Sequence, residues 1–408
     1  MPKSAPSERA IVFCVGAVQF VNILDFMMVM PMGPDFAKAL GIPLSHLGYV
    51  GGSYTAAASV SGLCGVFFLE RFDRRPALAV AMVGLFVGTL SGAFAQGLAS
   101  LMTARVVAGA FGGPATSLAY SIIADVVPAE RRGKAMGAVM GAFSIASVLG
   151  VPAGLELARR GGWQMPFVAV GILGAIIGVF AYGALPSMRG HLSNPKRNGE
   201  KSAIWRELTE LVRVDTALSL LMTFLVMASG FVLIPNISAY MLGNLHYPRE
   251  RLGLLYLAGG AVSFFTMRLV GFLVDRHGSA RVGTFGTLFI ALVVYAGFVC
   301  EPPLLPVMLI FVGFMFGSSF RNVAYNTLTT KVPAPTERAR FASVQSAVQH
   351  LSAALGGFAS AQLLTERADH SLSGISTCAW ASIGAGLAVP PLLWTVEARV
   401  RRNALRAT

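Results

Sequence analysis

The chain has 408 residues, of which 55% are hydrophobic and only 12% charged, and its mean hydropathy is +0.66. Soluble domains carry about twice that charged share, so a water-soluble globule or a soluble catalytic domain is excluded as the main body. The net charge of +13 would fit a nucleic-acid surface only if the cations clustered on one face, and they are spread over many short loops.

Apolar runs of about 20 residues match the roughly 30 Å hydrocarbon core of a bilayer. In chain order they fall at 11–33, 47–69, 77–97, 99–124, 134–157, 164–185, 215–242, 252–274, 282–300, 304–329, 341–364 and 374–396. Open backbone cannot face lipid and the runs do not alternate, so helices are expected rather than barrel strands. The first run is too long for a signal-peptide core and is expected to remain as a helix. With the N-terminus inside, 23 of the 32 Lys and Arg residues lie on the cytoplasmic side and 6 on the other. This asymmetry predicts a multi-pass protein of the inner membrane with both termini in the cytoplasm. Cys14, Cys64, Cys300 and Cys378 are scattered in no metal-like or disulfide spacing, and nothing calls for a cofactor.

The first run carries Gln19, Asn22 and Asp25 on one helical face. Asp25 is the one acid expected deep in hydrocarbon, roughly 24 Å above Arg9. The second run ends in Glu70-Arg71-Phe72-Asp73-Arg74-Arg75, a compact charged turn. The fourth carries the stripe Arg105, Gly109, Gly112, Thr116 and Tyr120, with Arg105 roughly 30 Å above Asp125. Both Asp25 and Arg105 are therefore expected in the outer half. The fifth has Gly141, Gly150, Pro152 and Gly154, which make it bendable.

The stretch 186–214 then breaks the hydrophobic pattern with turn formers and basic residues, followed by an amphipathic piece over 203–212. It is expected to be a cytoplasmic linker with a short surface helix, joining bundles 1–185 and 215–408. The seventh run places Asn236 among apolar residues, and the eighth ends in Asp275-Arg276, with Arg281 six residues beyond Asp275. The tenth puts Gly317, Arg321 and Tyr325 on one stripe, with Arg321 roughly 15 Å from Lys331 and hence near the midplane. Arg268 lies close to a helix end, and His350 with Gln345 and Gln349 interrupts the eleventh run.

The second half repeats the first at an offset of 205 residues: Glu70-Arg71 returns as Asp275-Arg276, Gly112 as Gly317, Ala119-Tyr120 as Ala324-Tyr325 and Val127-Pro128-Ala129 as Val332-Pro333-Ala334. Duplicated membrane halves place substrate sites where the halves meet, which makes a transporter the leading expectation. A receptor would not need two charged gate loops in matching positions. An intramembrane enzyme would need an HExxH, paired aspartates or a Ser/His arrangement, and the sequence has none.

The loop from Gly271 through Asp275-Arg276, Gly278 and Arg281 resembles the signature of the major facilitator superfamily, and the likeness spans nearly the whole chain. The first-half copy departs from it with Val66, Asp73 and Pro76. Arg105-Gly109-Gly112 is similar to the family's second motif. Gly141, Gly150, Pro152 and Gly154 are similar to its antiporter motif, and Asn22-Asp25-Pro31 and Gly162-Trp163 to its drug:proton antiporter and sugar-efflux branch. The resemblance implies twelve helices in two six-helix bundles, a monomer, and export driven by protons through alternating access. Glu70, Arg71, Arg74, Arg75, Asp275, Arg276 and Arg281 would form a cytoplasmic gate.

On that reading Asp25 carries the proton and Arg105 is its switchable partner, because a guanidinium favours the charged carboxylate and hydrocarbon the neutral one. A static ion pair that only fixes helix packing is the alternative. Asn22, Tyr120, Asn236, Arg321 and Tyr325 are the expected substrate contacts, with Arg321 favouring an anionic or carbonyl-rich group. An uncoupled or lysolipid carrier of the spinster type is the other transport reading. The expected partners are a small molecule, protons and the bilayer.

Overall fold

The computed structural model describes residues 7–188, 213–333 and 338–407. The chain divides into two compact units, Met1–Arg197 and Asn198–Thr408. Most of the linker, including its amphipathic piece, lies outside the described residues.

The first unit contains α1 (Glu8–Val29), α2 (Gly33–Leu40), α3 (Leu47–Phe68), α4 (Arg74–Gly92), α5 (Leu98–Val126), α6 (Ala129–Ile145), α7 (Val151–Gly161) and α8 (Gln164–Ala184). Helix α5 is its hub and packs against α1, α3 and α4. Small residues allow this: a Cβ on Gly88 of α4 would lie 2.4 Å from the Ala108 amide nitrogen of α5. One on Gly109 of α5 would lie 2.2 Å from the Tyr54 carbonyl oxygen of α3. Helices that approach backbone to backbone exchange side-chain volume for dispersion contact, the main attraction available inside lipid. Gly88→Val is accordingly expected to cost upwards of about 3 kcal/mol, since backbone cannot yield as a flexible side chain can. The folded fraction recovered by size exclusion after extraction checks this, and a wild-type yield would show that the two helices can separate freely.

The second unit contains α9 (Val214–Phe231), α10 (Ile237–Gly243), α11 (Leu252–His277), α12 (Ser279–Val294), α13 (Val307–Thr329), α14 (Arg338–Leu363), α15 (Ile375–Leu387) and α16 (Val389–Ala407). Its packing follows the first unit at the repeat offset. Helix α13 packs on α11 and α12 as α5 does on α3 and α4, and α9 packs on α14 as α1 does on α6. Tyr325, Met222, Val226, Leu328 and Leu393 share one buried apolar cluster.

Ten helices among the described residues are long and apolar enough to cross a membrane. The other two expected spans are α3 and α14, at 22 and 26 residues. Three expected spans are broken where the sequence carries helix breakers. The fifth passes through a π-turn at Ala146–Gly150 just before Pro152, the seventh through a 3₁₀ turn at Ile234–Asn236 around Pro235, and the twelfth is divided between α15 and α16 ahead of Pro390-Pro391. In each case a ring without an N–H removes one rung of the helical ladder, and the turn tightens or widens to compensate.

An element absent from the sequence reading is a two-stranded hairpin, β1 (Thr365–Glu366) with β2 (Leu372–Ser373). Asn244, just past α10, both donates to and accepts from the backbone of Leu372. The Ser371 hydroxyl and amide hold the Asp369 carboxyl below its ordinary range, and His370 turns the chain with a positive φ of 62°.

Candidate functional site

Asp25 and Arg105 meet in the first unit. One guanidinium nitrogen of Arg105 donates to both Asp25 carboxylate oxygens at 3.0 and 3.1 Å, and the other reaches the Asp25 carbonyl at 3.3 Å. Asp25 is 0% and Arg105 1% exposed. Two further side chains complete the cluster. Thr89 of α4 donates to Asp25 Oδ1 at 2.8 Å, and the Tyr54 ring of α3 lies beneath the guanidinium, 4.5 Å from its carbon to the ring centroid. A carboxylate with two donors and a cation over an aromatic face is the environment in which a buried pair recovers its desolvation cost.

One turn away, Asn22 has both ends of its amide engaged. Its nitrogen donates to the Gly112 carbonyl at 2.8 Å and to Thr116 Oγ1 at 2.6 Å, and its oxygen accepts from the Tyr54 hydroxyl at 2.7 Å. This tie exists because Gly112 has no side chain: a Cβ there would sit 2.4 Å from the Tyr54 hydroxyl and 2.8 Å from Asn22 Oδ1. Tyr120, one turn beyond Thr116, is half-buried.

Arg321 in the second unit is 4% exposed, yet the partners it donates to are neutral. It donates to Ser229 Oγ at 3.0 Å and to the Val226 carbonyl at 3.4 Å, while Nε has no hydrogen-bond partner among the described residues. The repeat makes this intelligible. Arg321 matches Thr116, and residues 226 and 229 match 21 and 24, so each unit ties its first helix to its fourth at the same level. Tyr325, fully buried, accepts from Gln349 of α14 at 2.8 Å. Asn236 donates to Ser360 at 3.0 Å, and its buried side-chain carbonyl has no hydrogen-bond partner among the described residues. His350 bonds the Ser346 carbonyl, one turn back on its own helix. Arg268 is exposed and lies over the Phe264 ring.

The charged loops resolve unevenly. The side chain of Glu70 lies outside the described residues. Arg71 is exposed, Arg74 pairs with Asp125 at 3.3 Å, and Arg75 covers the Tyr182 ring at 4.3 Å. Asp275, Arg276 and Arg281 are exposed. Asp73, one of the departures from the family signature, is the N-cap of α4: its carboxylate accepts from the Arg75 amide at 3.1 Å, from the Met188 amide at 2.9 Å and from the Ser187 hydroxyl. Its second-half counterpart is Gly278, with φ 87°, and there Glu397 of α16 accepts from the matching amide of Ala280 at 2.6 Å. Both halves cap the same amide with a carboxylate, one locally and one from a distant helix, where an acid favours the positive end of the helix dipole.

In the fifth-span motif, Gly150 is the close contact, since a Cβ would lie 2.6 Å from a Leu24 methyl of α1. Gly154 faces Met28 at 3.8 Å and Gly141 stands in open space. Pro152 follows the π-turn directly, in the first turn of α7, where its missing N–H leaves one rung of the ladder unfilled.

Tyr54, Thr89 and Ser229 were missed because isolated polar residues in apolar helices carry no periodic signal. Asp73 had one, an acid directly before a helical run.

Two repeated bundles of membrane-crossing helices, with charged groups buried inside them, define a polytopic membrane transporter rather than an enzyme. A model of the Major Facilitator Superfamily matches residues 15–357, and the chain belongs to that family. It is 25% identical over 359 residues to a purine ribonucleoside efflux pump, NepI, of Shigella dysenteriae serotype 1 (strain Sd197), covering 86% of each. Among solved structures, a D-xylose-proton symporter superposes with a TM-score of 0.74 at 17% identity, over 96% of this chain and 98% of that one. A bacterial homologue of the human lysosomal transporter Spinster, inward-facing and unoccupied, superposes with a TM-score of 0.70 at 16% identity, over 97% of both. At these identities the superpositions carry the fold alone.

Proposed function

We propose that this transporter is a proton-coupled exporter of a small, hydrogen-bonding amphipathic molecule, working by alternating access in the inner membrane with both termini in the cytoplasm. The observation that carries the reading is the fully buried Asp25–Arg105 pair. Among the described residues it is the one ion pair with both side chains below 2% exposure, and such groups inside a membrane are costly enough to be kept for ion or substrate handling. Asp25 takes up the proton and Arg105 is released when it does. Asn22 and Tyr120 in the first unit, and Asn236, Arg321 and Tyr325 in the second, contact substrate. Glu70, Arg71, Arg74, Arg75, Asp275, Arg276 and Arg281 form the cytoplasmic gate, and Gly141, Gly150, Pro152 and Gly154 let the fifth span bend.

The related pump's substrate class supports a purine ribonucleoside. A neutral nucleoside suits a guanidinium and an amide better than a lipophilic cation would, because both offer directional hydrogen bonds and Arg321 repels positive charge. The test is counterflow and efflux of inosine from proteoliposomes with and without an imposed pH gradient. Gradient-dependent efflux supports coupling; equal rates under both conditions favour the uncoupled, spinster-type carrier. Arg321→Ala is expected to weaken inosine binding by roughly tenfold to a hundredfold, the equivalent of one charge-assisted hydrogen bond. Calorimetric titration of purified protein checks it, and unchanged affinity removes Arg321 from the substrate contacts.

A further inference from the structure

Helices α1 and α5 are held together by two separate ties. One is charged, Asp25 to Arg105; the other is neutral, Asn22 to the Gly112 carbonyl and Thr116. Tyr54 of α3 touches both. Its ring carries the guanidinium on its face, and its hydroxyl donates to Asn22 Oδ1. The ring is 3% exposed and is seated against α5 where Gly109 and Gly112 leave room for it.

We propose that Tyr54 is a positioning residue that couples the charge on Asp25 to the hydrogen bonds fixing Asn22, so that proton uptake loosens the hold of α5 on the Asn22 amide. The proposal rests on Asp25 as the proton carrier and adds the route by which that event reaches the substrate contact. When Asp25 is charged, it and the Tyr54 face together compensate the guanidinium, and the cation in turn strengthens the phenol as a donor to Asn22. When Asp25 takes a proton, Arg105 becomes a buried cation without an anion and must move toward water or another acceptor. Tyr54 then loses the group that presses on its ring, and its bond to Asn22 weakens.

Among the described residues no competing switch lies at this level. Around Asp25, α3 presents Tyr54, α4 presents Thr89 and α5 presents Arg105. The π-turn packed on Leu24 has the sequence ASVLG, with no ionisable group. The ionisable residues of α6 fall within its first six positions, at the opposite end. Glu156 of α7 pairs with Arg159 and Arg160, and the one ionisable side chain of α8, Tyr182, lies under Arg75.

The test needs no substrate. The full-length protein, with its four native cysteines replaced by alanine, carries Thr116→Cys, and its alkylation by N-ethylmaleimide is measured at pH 5.5 and 8.5. Rates are divided by those of the detergent-unfolded protein at the same pH to remove thiolate chemistry. Proton release across the same range is followed with an indicator dye.

With Tyr54 present, the corrected rate is expected to be roughly tenfold higher at pH 5.5, matching a shift of one tie of this size. Asp25→Asn should show the high rate at both pH values and lose the titrating proton. Tyr54→Phe keeps the ring that fills its seat and removes only the hydroxyl; it should also show the high rate at both pH values while retaining the Asp25 proton. Tyr54→Leu, which removes the cation's platform as well, should behave as Phe does. A merely structural tyrosine would alter stability and leave the pH response intact. Tyr54→Phe with the unmodified pH response therefore overturns the coupling and leaves proton carriage by Asp25 standing. So does a rate that ignores pH while the Asp25-dependent proton is still released. If no such proton is released, proton carriage fails first and the coupling falls with it.

Discussion

Asp25→Asn is expected to abolish substrate movement against a gradient while leaving downhill exchange intact. One unit of pH gradient is worth about 1.4 kcal/mol per proton, or roughly tenfold in the substrate ratio across the membrane. An amide cannot exchange that proton, so the ratio reached by inosine in proteoliposomes under a one-unit gradient should collapse to about one. Counterflow needs only the conformational cycle and should stay near its wild-type rate. The substitution is mild in shape, and the amide oxygen still accepts from Thr89, which donates to the same position at 2.8 Å. An Asp25→Asn protein that still concentrates inosine would end the coupling reading, and the Asp25–Arg105 contact would then be a packing device.

Arg105→Ala is expected to be the most destabilising single change in the first unit. It strands a carboxylate that is 0% exposed and removes the cation paired with it, leaving Thr89 as its single side-chain donor among the described residues. Removing one member of a buried pair costs about 3–5 kcal/mol, mostly as the price of the charge left behind. The platform of Tyr54 also goes unfilled. The measurement is the thermal unfolding midpoint of purified protein, followed by thiol exposure at buried Cys14. Adding Asp25→Asn to Arg105→Ala should restore more than half of the loss, because a neutral amide no longer demands a cation. If the double variant is as unstable as Arg105→Ala alone, the loss comes from the missing stem of the arginine and not from the uncompensated charge.

Much of the architecture was legible from composition and spacing. A hydrocarbon core tolerates only helices in a chain without strand alternation, so twelve runs of the right length lead directly to helices. The 205-residue echo likewise appears as matching contacts of α5 and α13 with their neighbours. What spacing could not reveal is where each helix breaks. Pro152, Pro235 and Pro390 announce trouble, yet whether the chain answers with a π-turn, a 3₁₀ turn or a division into two helices depends on what lies alongside. The hairpin at 365–373 was invisible because its four strand residues are too few to show a pattern.

For the site the division is sharper. Asp25 and Arg105 could be paired from sequence because charge inside lipid is rare and helical rise places both at similar depth. Asn22 and Arg321 read as substrate contacts, and spacing gave no sign that α5 and Tyr54 engage the Asn22 amide or that two nitrogens of Arg321 bond Ser229 and Val226.

Sequence alone determined that this is a duplicated helical membrane protein with one deep acid and a cation to match it, because those facts follow from hydrophobicity, length and the cost of charge in lipid. Tertiary structure alone decided which neutral groups surround that pair. Thr89, Tyr54 and the cap at Glu397 are ordinary residues until distant helices bring them within 3 Å of a partner. The physical reason is range: burying a charge is penalised wherever it sits, so it shows in one dimension, whereas a hydrogen bond acts only at contact and needs three.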